Sequence, residues 1–134
     1  MSEKDTILAL PSNPENIVHV EPLVGKVAEK FKLSPDQQGN ILLSLTEAVV
    51  NAIMHGNRGD VNKNVRISLR KNKSSIAFQV SDEGKGFDHR SIPDPTAPDR
   101  IEECGGRGVF LMKACSDKCS FKNGGSTVEM KWKL

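Results

Sequence analysis

The stretch "LTEAVVNAIMHGN", residues 45–57, spaces a carboxylate, an amide and an imidazole four apart, at Glu47, Asn51 and His55. On a helix that spacing stacks the three side chains on one face, a turn from each other. Leu42, Leu45, Val49 and Ile53 supply the core side of the same helix, which has no need of a polar ladder. A carboxylate so placed can take a proton, and an amide oxygen can bind a hard cation. Residues 82–88, "DEGKGFD", then leave an apolar alternating run through an acid and two glycines. Asp and Gly are turn residues, but glycine is also used where a ligand approaches the main chain closely. Further on, "GGRGVFLM" opens a helix among three glycines. Such a start presents free backbone N–H groups and the positive end of the helix dipole, a cradle for phosphate. Neither glycine motif is specific alone, whereas the two together with the polar ladder point to one site.

Elements that could position these groups are legible around them. "TILALPS" suits a short first strand. Ser12 or Asn13 then caps a helix predicted over about Asn16 to Phe31, with Pro14 in its first turn and Glu15 completing a capping box to Ser12. Ile17, Val20, Leu23, Val24, Val27 and Phe31 form its apolar stripe, and Pro22 is expected to kink it. Ser34, Pro35 and Gln37 repeat the capping device for a second helix reaching about Gly56. "VRISLR" and "SSIAFQVS" alternate with period two across the turn residues "KNKS". They predict a hairpin with Val65, Ile67 and Leu69 facing Ile76, Phe78 and Val80 into the core. The stretch holding Pro93, Pro95 and Pro98 shows no period and reads as a long loop. A third helix over Gly108 to about Ser116 and a closing hairpin, "KCSFKN" and "TVEMKWKL", complete the order β, α, α, β, β, loop, α, β, β. That order predicts an α+β two-layer sandwich, its mostly antiparallel sheet covered by three helices on one face and charged on the other.

The totals bound the class. A chain of 134 residues is expected to form a single domain over 1–134 with its own core. A net charge of +2, from 19 basic and 17 acidic residues mixed along the chain, gives no basic stripe and disfavours nucleic acid. The longest apolar runs fall well short of the ~20 residues a bilayer span requires, and the first residues lack the pattern of a signal peptide, so a cytoplasmic protein is expected. Cys104, Cys115 and Cys119 are odd in number and poorly spaced for zinc, and are expected to be reduced thiols.

In the order and spacing of these motifs the chain resembles the GHKL superfamily of Bergerat-fold ATP-binding domains, and within it the anti-sigma-factor serine/threonine kinases. "LTEAVVNAIMHGN" is similar to their N box, "DEGKGFD" to their first glycine box and "GGRGVFLM" to their second. The resemblance implies that ATP and Mg are the cofactors. It makes Asn51 the Mg ligand, Glu47 the general base toward a serine hydroxyl, and Asp82 the acceptor for the adenine amino group. Gly84 and Gly86 then make room for the base, Gly106 and Gly108 hold phosphate, and His55 belongs to the neighbourhood of the nucleotide pocket. Arg107, beside the phosphates, would bind the γ-phosphate, and the lid over the nucleotide would lie at about 89–104. The partners implied are a sigma factor, a small anti-anti-sigma (STAS-domain) antagonist phosphorylated on serine, and a second copy of the chain in a homodimer.

One departure from that pattern concerns the transferred phosphate. Some kinases of this kind carry an arginine shortly before the glycine pair, where this chain reads "EECGG" with Cys104, so Arg107 or Arg100 would have to replace it. If neither does, nucleotide binding survives while phosphoryl transfer weakens, since charge stabilisation is most of the catalysis in this chemistry. The alternative from a different class is a nucleotide-gated protein-binding module without kinase activity. The catalytic domain of a histidine kinase is a weaker match. His19 lies on a helix the domain itself needs, and no residues remain for a separate phospho-accepting helix pair.

Overall fold

A computed structural model describes residues 5–84 and 106–134. Five strands form one sheet: β1 (Asp5–Pro11), β2 (Asn64–Lys71), β3 (Ser75–Ser81), β4 (Lys118–Lys122) and β5 (Thr127–Lys133). Their order is β1-β2-β3-β5-β4, and every neighbouring pair is antiparallel. The predicted hairpin holds, with Ile67 opposite Val80 and Leu69 opposite Phe78. Three helices, α1 (Val20–Phe31), α2 (Pro35–Asn51) and α3 (Gly106–Cys115), cover the inward face. Ile41, Leu45, Val49 and Ile53 of the α2 region pack with Val65, Ile67, Ile76, Phe78 and Met130 of the sheet in a continuous core. Each such side chain is worth ~1.5–3 kcal/mol when fully buried, so this layer decides how α2 lies on the sheet.

The first helix departs from the sequence expectation. Residues Pro14–His19 form a 3-10 turn, and the α-helix begins only at Val20. Asn13 is the cap, accepting a bond from the Glu15 amide at 3.0 Å. Ser12 is buried and donates to the Lys63 carbonyl at 2.7 Å, so the capping box expected between Ser12 and Glu15 does not form. Pro22 therefore lies in the first turn of α1, where a missing N–H costs nothing, and the expected mid-helix kink has no cause. Ser34 and Gln37 do form the reciprocal capping box, with Pro35 opening α2. Gln37 also donates to the Lys133 carbonyl at 3.1 Å, tying the start of α2 to the last strand.

The α-geometry of α2 stops at Asn51, and Ala52–Gly56 form a π turn closed by a bond from the Asn57 amide to the Ala52 carbonyl at 2.8 Å. Such wide turns are rare and recur at functional sites. The third helix starts two residues before the expected Gly108 and ends at Cys115. Its far end is pinned by Trp132, whose indole N–H donates to the Cys115 carbonyl at 2.8 Å while its ring meets Phe78 edge-on. Cys115 and Cys119 are free thiols, the latter pushed up to about 11 by burial. Among the described residues no helix is long and apolar enough to cross a membrane.

Candidate functional site

A cavity of about 410 Å³ opens where the end of α2, the end of β3, α3 and the β4–β5 turn converge. Asn51, His55, Gly56 and Asp82 line it together with the apolar walls of Ala52, Val80, Met112 and Val128. All three sequence motifs thus contribute side chains to one space, the third through Met112, although Asn51 and Asp82 are 31 positions apart in the chain. The third motif closes on the polar ladder. A Cβ built on Gly108 would stand 3.0 Å from Asn51 Nδ2, 3.1 Å from Glu47 Oε2 and 3.3 Å from Asn51 Oδ1. A larger residue there would press on both side chains and force them to give by a few tenths of an ångström, whereas glycine lets the first turn of α3 pack against them undisturbed. Glu47 is half-buried at this α2–α3 contact.

Asp82 follows the last residue of β3, and its amide is held by the Ser126 carbonyl at 2.9 Å. Burial raises its carboxyl above the ordinary range, opposed by the Gly84 amide, which donates to Oδ1 at 2.8 Å, and by the charge of Lys63. A half-buried, underpaired acceptor among apolar walls suits recognition of a planar ligand through a donated N–H. Gly84 and Gly56 press together beside it. A Cβ on Gly84 would overlap the Gly56 carbonyl, and one on Gly56 would overlap the Asp82 carboxylate. The glycine after the acid thus serves a close backbone approach more directly than a turn.

A buried amide supports this corner. Asn57 is 2% exposed; its Nδ2 donates to Ser12 Oγ at 2.8 Å and to the Asn64 carbonyl at 3.1 Å, and its Oδ1 accepts the Glu83 amide at 2.7 Å. It thereby clamps the residue after Asp82 to β1 and β2, while the Glu83 carboxylate accepts from the Asn64 amide. Sequence reasoning missed Asn57 in this role, as it missed Met54, Arg58, Met112, Phe121 and Ser126 on the cavity wall. The dipeptide Gly56-Asn57 was the available signal, since turn residues closing a polar ladder invite a bond to the chain beyond.

His55 is exposed at the cavity mouth and also lines a second, more polar recess with Arg58, Asp60, Lys63 and Glu83. Gly106 is the first residue of α3. Gly86, Cys104, Arg100 and the lid expected at 89–104 lie outside the described residues, as does the side chain of Arg107. Among the described residues no group of three or more His, Cys, Asp or Glu is placed to hold a metal.

An antiparallel sheet roofed by three helices, with a carboxylate-floored cavity against a glycine-rich helix start, defines a two-layer domain of the histidine kinase-like ATP-binding fold. The chain belongs to that family: the model of the histidine kinase-like ATPase domain matches residues 10–132. It is 26% identical over 130 residues to the serine-protein kinase RsbW of Oceanobacillus iheyensis, covering 92% of this chain and 82% of that one. The RsbW serine-protein kinase of Bacillus subtilis is 27% identical over 131 residues, covering 92% and 81%. That of Staphylococcus aureus is 25% identical over 138 residues, covering 96% and 87%.

Proposed function

We propose that the protein is an ATP- and Mg-dependent serine/threonine protein kinase that also acts as an anti-sigma factor. Its substrate in this reading is a serine on an anti-anti-sigma STAS-domain antagonist, and phosphorylation releases that partner in a switch that frees or captures a sigma factor. One juxtaposition supports it most: Asn51 and Asp82 share a cavity, and Gly108 at the start of α3 stands against Asn51 and Glu47.

Asp82 accepts a hydrogen bond from the adenine amino group, and Gly84 with Gly86 keeps the backbone clear of the base. N–H groups at the start of α3, around Gly106 and Gly108, take the phosphates. Asn51 offers its amide oxygen to Mg, and a single neutral oxygen donor fits a cation that keeps its waters and is held chiefly through substrate phosphates. When bound, the metal neutralises charge on the β- and γ-phosphates. Glu47 takes the proton of the serine hydroxyl as its oxygen bonds to the γ-phosphorus; the bond to the bridging oxygen breaks and ADP leaves. Arg107, next to Gly106 in the sequence, supplies positive charge at the γ-phosphate. His55 contributes to the rim of the nucleotide pocket, and the acting unit is a homodimer.

Calorimetry with ATP and Mg, followed by transfer of labelled γ-phosphate to a STAS-domain protein, tests the reading in two stages. Glu47→Gln should retain ATP binding and slow transfer by about 10²–10⁴-fold. Binding without transfer by the native protein would make it a nucleotide-gated module instead, and no binding would remove both readings.

A further inference from the structure

The outward face of the sheet carries an excess of positive charge. Alternation along the strands sends Arg66, Arg70, Lys118, Lys122, Lys131 and Lys133 to the side away from the helices, because Ile67, Leu69, Ile76, Phe78, Val128, Met130 and Trp132 point inward. Within β2 to β5 the only acid is Glu129, held by Arg70 and Lys122 at 3.2 and 3.5 Å. This imbalance stands out against a chain with 19 basic and 17 acidic residues. Lysine on an edge strand guards against stray pairing, which accounts for Lys118 and Lys122 on β4. It does not account for Arg66 on β2 or for Lys131 and Lys133 on β5, both interior strands. Lys118 and Lys131 are directly opposite each other across β4 and β5, a like-charge pairing that works against the sheet. The acid nearest in sequence, Asp117, spends its carboxylate on the Lys133 backbone N–H at 2.6 Å.

We infer that this face is a docking surface for an acidic segment of a partner protein. Short side chains, Ser68, Ala77 and Ser120, share this face with the long cations and with Gln79, so a partner's carboxylates can reach the ammonium and guanidinium groups from above. Five strands about 4.8 Å apart make a platform that accepts a helix or loop laid across it. Nucleic acid fits less well. Phe78, Phe121 and Trp132 all occupy inward register positions, so among the described residues this face presents no aromatic platform on which bases could stack. The surface lies on the opposite side of the sheet from the helices that frame the cavity, and the inference does not rest on nucleotide binding.

Poly-L-glutamate titrated into isotope-labelled protein, followed by amide shifts, tests the surface. Shifts should map to outward positions of β2, β4 and β5 and weaken as salt screens the charges. Arg66→Glu/Lys118→Glu should lower affinity at least about tenfold, while Lys26→Glu/Lys30→Glu on α1, with the same change in net charge, should alter it less than about twofold. Equal losses would show attraction by net charge alone and overturn the inference. Tighter binding of duplex DNA or single-stranded RNA at these same residues would overturn it in favour of nucleic acid. Lys118→Glu alone separates docking from folding, because it sets an acid opposite Lys131. Its thermal midpoint should hold or rise while affinity falls; a drop in midpoint with affinity unchanged would make Lys118 structural and count against the surface.

Discussion

Asp82, just past the end of β3, and Glu129, on the adjacent β5, are both partly withdrawn from water, and for both burial is the largest influence on the carboxyl, pushing its pKa up. At Glu129 the amide of Gln79 donates at 2.8 Å and the charges of Lys122 and Arg70 add to it, so the carboxyl ends below its ordinary range. Asp82 receives one backbone N–H and a more distant lysine, and ends above it. The sheet has the cations to satisfy a buried acid and uses them at Glu129. At the cavity it leaves an acceptor underpaired, at a cost to folding, as the ligand-binding role proposed for Asp82 requires.

The sharpest separation should come from Asp82→Asn. Losing a charged acceptor toward a ligand N–H should weaken ATP by roughly 10- to 100-fold in calorimetry, while the thermal midpoint of the free protein stays level or rises. A fall in midpoint with affinity intact would place Asp82 beside Glu129 as a structural acid and erase the contrast. Asn57→Ala should cost about 2 kcal/mol in denaturant unfolding, because it leaves the Glu83 amide and Ser12 hydroxyl without their buried partner. ATP affinity should fall with it, since the clamp on the residue after Asp82 is gone.

Glu129→Gln is the converse of the cavity substitution: stability should drop by about 1 kcal/mol or less, with ATP binding unchanged. Acid should treat the two carboxylates oppositely. The Glu129 pKa is lowered in the fold, so its stabilisation is complete above the ordinary value of 4.5 and is lost as pH falls through the folded value. Native and Glu129→Gln unfolding curves should therefore converge in acid. The Asp82 pKa is raised, so its ionisation destabilises the free protein as pH climbs from 3.8 through the folded value. ATP affinity should accordingly fade on acidification before an ordinary aspartate would protonate.

Much of the frame was readable locally. The capping box at Ser34 and Gln37 and the period-two strands depend on neighbours within a few residues, and both formed as expected. The first helix was misjudged because Ser12 had a competing partner 51 residues away in the Lys63 carbonyl, which periodicity does not reveal. The π turn after Asn51 was equally hidden, since its wider spacing is set by closure onto Asn57 and the clamp beyond it. At the site, residue types announced Asn51, Asp82 and Gly108, whereas Asn57 was marked only by the dipeptide Gly56-Asn57, and Phe121 and Ser126 carry no local mark of their place on the cavity.

By itself the sequence determined which groups could do chemistry, because helical and strand periods and glycine's missing side chain act over a turn or a residue pair. Only the tertiary structure decided which of them meet. The contact of Gly108 with Glu47 and Asn51, the underpaired state of Asp82 and the gathering of cations on one sheet face depend on strand order and helix packing. Desolvation and charge repulsion follow distances in space, and those distances exist only once the core has closed.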